Sequence, residues 1–486
     1  MTRRQETTVI ALDVATGALE RLPHGARDRF ARAWRSLPAG LRYGRAYGRW
    51  RARIRRAAAD PAFACAAQDE ALAALVARAR ADSPAHRERL DPVLGAGALD
   101  GAALRAVWPR IPILTREELA RDATRFCTTD PGRLRDCILV DRSGQSARIF
   151  LDRGLDPVAL AFRHEAWARA GFTPQAMRAV FRGLDLGAPS YMQEAPGEGE
   201  LRCSVLHLSD AVMAGYLEAI RRWGIAFLQG LPSALCVFAA HVLREEGPLP
   251  QVTGVLPTSE PLSGPARATL ERAFPRARLV PVYGLREQVA FAAERPGAPD
   301  CYVFDPLHGL AEIVDGSGRP LTRPGARGRL VATGLLGAGM PLIRYETGDE
   351  AELVEAPDDR NGRRLTVRRI RPRSAPETLL GRSGLKVPLA DMIQLDPALL
   401  GVGAFQFVQE EPGQVTLRVV PSTGPLPDFT GFLLRMGRRL AGELDLTLEI
   451  VDRLPTSLAG KRPIVARCLR AGPAGPRAAA QARLPA

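Results

Sequence analysis

Short apolar runs that end in a glycine turn and a polar residue recur through the middle of the chain, separated by longer stretches of helical period. The clearest two are Val280–Glu287 (VPVYGLRE) and Met340–Asp349 (MPLIRYETGD). Each is an apolar run, a glycine turn and a carboxylate, which predicts a buried strand carrying one acid at its tip. The acids stand 349 − 287 = 62 positions apart, room for a strand-rich excursion that returns the second acid beside the first. Residues 156–245 alternate helical patterns with short apolar runs, as stacked α/β layers do.

The flanking pattern extends this picture. Residues 1–25 are unpatterned and read as a loose lead-in. Residues 26–60 are rich in Arg and Ala, with Trp34, Tyr43, Tyr47 and Trp50 at helical spacing. A membrane-surface helix is the alternative there, but Pro38 and glycines 40, 44 and 48 interrupt it, and a packed helical pair is the better reading. Residues 65–81 continue as an alanine-rich helix. In Ile111–Leu119, Thr115 and Glu118 have the spacing of a capping box behind an apolar entry, which reads as architecture. Cys137–Leu151 reads as strand, polar turn, strand. Phe227–Leu235 passes from a strand end to a helix capped by Ser233 or begun at Pro232. Val252–Pro261 is a buried strand with a polar tip, residues 296–338 are short strands of a small β subdomain, and 356–364 is an exposed hairpin. Strands at 404–408, 415–420, 446–451 and 463–468, with a helix at 429–440, make a compact α+β unit, and the Ala/Pro/Gly-rich tail from Ala471 reads as disordered.

Composition narrows the class. At 486 residues, 46% apolar and 25% charged, the chain suits one large and one small soluble domain. No apolar run reaches the roughly 20 residues of a membrane span, and no signal core follows Met1, so the expectation is cytoplasmic. Seven cysteines without paired spacing argue against a disulfide framework and a zinc ribbon; Cys301 and His308, weighed as a pair of soft ligands, are more simply a structural cysteine and a surface histidine. A net charge of +14 is spread along the chain without a nucleic-acid module, so no nucleic-acid partner is expected. Of 67 basic residues only Lys386 and Lys461 are lysine. An ammonium is a compact point donor where a guanidinium is a broad fork, so both are candidates for close chemistry.

The two tips carry chemistry of their own. Tyr283–Gly284 and Glu287 offer a flat ring and a hard oxygen ligand, suited to a purine beside a magnesium-bound phosphate. Thr347–Gly348–Asp349 offers a tight turn and a carboxylate able to accept ribose hydroxyls. Together they suggest ATP.

With Thr258–Pro261 (TSEP), Tyr283–Glu287 (YGLRE), Leu342–Asp349 (LIRYETGD) and Leu458–Lys461 (LAGK) in this order, the chain resembles the adenylate-forming enzymes, in the branch of phenylacetate-CoA-ligase-like and capsule-associated synthetases, over about 111–469. The resemblance implies an α/β fold with a large multi-layer N-terminal domain and a small mobile α+β C-terminal domain. The implied boundaries are 1–110 for the helical part of the large domain, 111–372 for its nucleotide core, 373–470 for the small domain and 471–486 for the tail. It implies ATP, Mg2+ and CoA as cofactors, a small carboxylic acid as substrate, and an acceptor thiol, amine or hydroxyl. Two rivals stand beside it: an adenylate-forming synthetase with a cofactor or glycan precursor as acceptor, and an impaired nucleotide- or acyl-binding descendant.

The resemblance also assigns roles. Ser143, Gly144, Gln145, Ser146 and Arg148 fall in the phosphate-binding turn, where Ala147 replaces a usual glycine, with an ordinary hairpin turn as the plain alternative. Arg286 stands where a small hydroxyl residue commonly meets the α-phosphate. Ser259, Glu260, Tyr283, Gly284, Asp349 and Arg373 fall on the nucleotide side, with Arg382 as the other register for Arg373 and a helix-cap turn as the plain alternative for Glu260. Glu287 falls on the metal and Lys461 on the reacting centre, while Lys386 falls on the second half-reaction or is a surface charge. Phe227, Leu231 and Phe238 are acyl-pocket lining or plain core. Pro372 replaces the hinge glycine, which restricts swivelling at that bond.

Overall fold

The computed structural model describes residue 33 onward, apart from 96, 98–99, 141–145, 185, 187–189, 206–207, 373–377, 384–385, 389–401, 422–428, 440–442, 453, 455–464 and 468–486. The chain divides into two compact units: Met1–Leu139 with Ala147–Ala375, and Val140–Ser146 with Pro376–Ala486.

The first unit is built on two sheets and a layer of helices. One sheet has six strands, of which Arg178–Arg182, Glu200–Ser204, Phe227–Gly230, Gly254–Pro257 and Arg278–Leu279 run parallel, with Met192–Ala195 antiparallel at one edge. Parallel neighbours need crossovers, and Asp210–Arg222, Pro232–Glu245 and Gly264–Ala273 supply helices whose apolar faces share a core with the strands. Pro232 begins its helix at a position where the missing N–H costs nothing; Ser233 does not cap it.

The second sheet is antiparallel and seven-stranded, running Gly309–Val314, Arg327–Gly334, Tyr345–Glu355, Thr366–Pro372, Ala298–Phe304, Phe291–Arg295, Val282–Gly284. The 296–338 strands are thus no separate subdomain, because hydrogen bonding closes them into this larger sheet. Arg278–Leu279 ends one sheet and Val282–Gly284 opens the other, three residues on, with a bridge from Thr258 to Val282 between them. Helices Gly44–Ala59 and Asp156–Trp167 share a core with both sheets, through Phe227 and Leu256 of the first and Val282 and Phe291 of the second.

Local signals explain several of these elements. Thr115 accepts from the backbone of Glu118 while the Glu118 carboxylate returns to the Thr115 backbone, so the capping box forms as its spacing requires. Asp60 caps Pro61–Asp82, whose buried side carries Ala64, Leu72, Leu75 and Ala79. Tyr47 is buried in the helical pair, its hydroxyl 2.8 Å from His164 Nδ1. The 356–364 turn is less exposed than its polarity suggests: Arg363 reaches Asp69 at 2.5 Å and Arg364 bonds the Ala57 carbonyl, fastening it to the N-terminal helices. His308 is likewise buried, not superficial, and stacks on Phe291.

The second unit holds a four-stranded sheet ordered Asp445–Ile450, Gln414–Pro421, Val402–Glu411, Val465–Arg467, with helix Phe429–Arg439 against it and a separate pair Thr378–Leu380 with Lys386–Pro388. The tail from 471 lies outside the described residues. No described helix is long and apolar enough to cross a membrane.

Candidate functional site

The two acid-tipped stretches meet. The Tyr283 hydroxyl donates to Asp349 Oδ2 at 2.6 Å, and the Tyr345 hydroxyl donates to Glu287 Oε1 at 3.1 Å. Each tyrosine of one stretch therefore holds the acid of the other. Burial, then the charge and hydrogen bond of Asp349, push the Tyr283 pKa well above its ordinary value, so the phenol stays a donor. Asp349 is further placed by its own backbone N–H, which donates to Thr347 Oγ1 at 3.1 Å, while that hydroxyl donates to the Leu330 carbonyl.

A third partner comes from a distant helix start. Arg116 donates from Nε to the Tyr345 hydroxyl at 2.9 Å and from its terminal nitrogen to Glu287 Oε1 at 3.1 Å. Burial works against the Arg116 charge, but Tyr345 and Glu287 outweigh it and raise its pKa. Burial and the Glu287 charge raise the Tyr345 phenol as well. Glu287 is only 5% exposed, and Oε1 receives both donors. It lines a small cleft with Phe150, Asp152, Leu155, Gly334 and Met340. Asp152 shapes this wall by accepting from the Ala338 and Gly339 backbones at 2.8 and 3.0 Å. Among the described residues no group of three or more His, Cys, Asp or Glu is placed to hold a metal. Glu287 fits a magnesium held by one carboxylate together with substrate phosphates, since Oε2 is engaged by no described residue.

A neighbouring cluster explains the residue between the two tips. Arg344, 1% exposed, binds Glu312 through Nε and a terminal nitrogen at 3.1 and 3.2 Å and also reaches the carbonyls of Pro109, Ile111 and Gly318. Its φ of 48° is unusual for a side-chain-bearing residue, and this network holds it there. Ser259 and Gln288, at two of the polar tips, also have positive φ, 70° and 56°.

Among solved structures, 2-hydroxyisobutyryl-CoA ligase in complex with 2-HIB-AMP and CoA, in its thioesterification state, matches with a TM-score of 0.51 and 16% identity, over 82% of this chain and 90% of that one. The chain has the adenylate-forming ligase fold. An open conformation of the same ligase, with the same two ligands, matches at 0.47 and 15% identity over 82% and 90%. MbtA of Mycobacterium smegmatis, in its apo form, matches at 0.33 and 15% over 67% and 63%. No protein-family model and no curated protein matches the chain.

Within this ligase fold the other sequence candidates are placed unevenly. Arg286 is exposed in the turn beside Glu287. Arg148 pairs with Asp136 across the hairpin of Arg135–Val140 and Ser146–Leu151 and lies over the Phe150 ring at 5.3 Å. Glu260 accepts from the Ser233 backbone at 3.0 Å, serving the start of helix Pro232–Glu245, as the helix-cap alternative has it. Gly284 ends its strand against Phe291, and Ser259 adjoins the bridge of Thr258 to Val282. Phe227 and Phe238 lie in core clusters, with Leu231 half-buried against one of them. Lys386 opens a strand in the second unit. Ser143, Gly144, Gln145, Arg373 and Lys461 lie outside the described residues, and Ser146 opens its strand. Cys301 and His308 form no metal group, and burial raises the Cys301 thiol.

Sequence reading missed Arg116, Tyr345 and Asp152 as members of the site. Arg116 had a signal: a cation at the first position of a helix opposes the macrodipole, and such a residue needs an anion elsewhere.

Proposed function

We propose that the chain uses ATP to convert a carboxylic acid to an acyl-adenylate and then transfers the acyl group, with CoA as the first acceptor to test. The observation that carries this reading is the crossed pair of bonds, Tyr283 to Asp349 and Tyr345 to Glu287, in a chain with an adenylate-forming ligase fold. Asp349, placed by Tyr283, accepts ribose hydroxyls. The Tyr283–Gly284 strand end faces the purine, with Ser259 and Glu260 beside it, and Arg286 takes the α-phosphate. Glu287, kept oriented by Arg116 and Tyr345, would hold magnesium, which would supply charge neutralisation along the phosphates. Residues 143–148 cover the departing pyrophosphate, Arg373 contacts the nucleotide, Lys461 offsets charge at the reacting centre, and Lys386 serves acyl transfer. On this reading 373–470 forms a small mobile domain and the enzyme works in the cytoplasm.

Carboxylate-dependent exchange of labelled pyrophosphate into ATP, over a panel of aryl, fatty and sugar acids, tests the reading. Exchange with at least one acid, abolished by Lys461→Ala, is expected. Exchange with none overturns it. The pair between Arg148 and Asp136 favours the second reading, an impaired nucleotide- or acyl-binding homologue, because a phosphate must compete with an intramolecular carboxylate there. CoA consumption then separates CoA from other acceptors.

A further inference from the structure

Two arginines, one at the carboxyl end of a parallel strand and one on a helix beside that strand, make no side-chain hydrogen bond or ion pair with the described residues. Arg163, on helix Asp156–Trp167, is half-buried, and Arg182, the last residue of strand Arg178–Arg182, is exposed; neither guanidinium takes part in a hydrogen bond or ion pair with the described residues. They flank a third. The Arg178 guanidinium lies over the Trp167 ring at 5.7 Å, and Trp167 sits one helical turn from Arg163 on the same helix face. Arg182 follows Arg178 by four residues and so shares its face of the strand.

The nearby carboxylates are already engaged. Glu200 receives Arg178 on Oε1 at 2.5 Å and Arg202 on Oε2 at 3.1 Å, while Asp156 receives Arg135 at 2.7 Å. Burial, reinforced by the charges of Arg182 and Arg178, pushes the Arg163 pKa down to about 10, still far above neutrality. The group therefore remains a cation in a desolvated place, where Asp156 and Glu200 act on it only at a distance and no carboxylate bonds it directly, an arrangement that an added anion would relieve. The site also lies where ligands of open α/β sheets bind, outside the carboxyl ends of the strands. Phe181 pairs with Gly230, and Gly230 with Pro257, so Arg182 stands about two strands, roughly 10 Å, from the Thr258–Glu260 tip.

We propose that Arg163 and Arg182 form an anion subsite that takes a phosphate or carboxylate group carried by the acid substrate or by the acceptor. The identity of the carrier rests on the acyl-activation reading above; the anion site itself does not.

Thermal unfolding of the full chain in inorganic phosphate, against chloride at equal ionic strength, reads the site directly. Phosphate is expected to raise the Tm of the parent chain. Arg182→Gln, an exposed change that leaves packing intact, is expected to remove most of that shift. Arg163→Met is expected to remove it and to raise the Tm in chloride, because it deletes an uncompensated charge. A phosphate shift that persists in Arg182→Gln, or no shift in the parent, overturns the proposal, and Arg182→Gln is decisive by itself if Arg163→Met does not fold. The carrier is found by kinetics. If it is the acid, Arg182→Gln raises KM about tenfold for acids bearing a second anionic group and leaves monoanionic acids unchanged. If it is the acceptor, the same increase appears for CoA and not for dephospho-CoA. A phosphate shift without any exchange activity sustains the subsite and sinks the function; exchange without a phosphate shift does the reverse.

Discussion

Glu287 and Glu312 are both buried glutamates of the same unit, at 5% and 7% exposure, and both face an arginine. They differ in what remains free. Glu312 gives Oε1 to Arg344 and Oε2 to Arg344 and Trp108, so neither oxygen is left without a donor. Glu287 collects Arg116 and Tyr345 on one oxygen and lines a cleft. A buried carboxylate with every lone pair directed into protein is part of the scaffold, whereas one that is half engaged beside open space can serve a ligand. Arg344 and Tyr345, adjacent in sequence, each belong to one of the two.

The contrast breaks most sharply at Arg344. Arg344→Met leaves the buried Glu312 carboxyl without its cation, and we expect a loss of about 3–5 kcal/mol in denaturant unfolding. A loss below about 1 kcal/mol would place Glu312 outside the scaffold. His86 tests the same stretch through pH, since its Nε2 lies 2.8 Å from the Pro341 carbonyl. Burial pushes its pKa down to about 4, with the Pro341 carbonyl opposing and Arg89 assisting. The folded value lies below the unfolded one of about 6.5, so unfolded chain binds the proton first. The contribution is whole above about pH 6.5 and lost as the pH falls to about 4, roughly 3 kcal/mol in all; His86→Phe should flatten that part of the stability profile.

Glu287→Gln takes the other side. We expect pyrophosphate exchange to fall about a hundredfold, with the melting temperature within a few degrees of the parent. A large stability loss with proportionate activity would make Glu287 another Glu312. Smallest is Tyr283→Phe, which removes one hydrogen bond to Asp349: about 1 kcal/mol of stability, and a severalfold increase in the KM for ATP.

Features set by neighbours in sequence were legible. The capping box at Thr115, the helix start at Pro232, the 137–151 strand pair and the strands of the second unit follow from spacing and period. So did the meeting of the two tips, because turn chemistry and a 62-residue return were written in the chain. What depends on distant contacts was not. Arg116 reaches Glu287 across 171 residues, Arg363 reaches Asp69 across 294, and His308 is buried by rings from other elements. Glu260 shows the same limit: its polar tip was visible, but its bond to the Ser233 backbone depended on where that helix start came to lie.

The segment from Arg278 to Gly284 belongs to both sheets, with Pro281 stiffening the passage. It acts as a rigid splice. One bridge joins Thr258 of the parallel layer to Val282, the residue before the ring that holds Asp349, so the position of that acid is referenced to both layers at once.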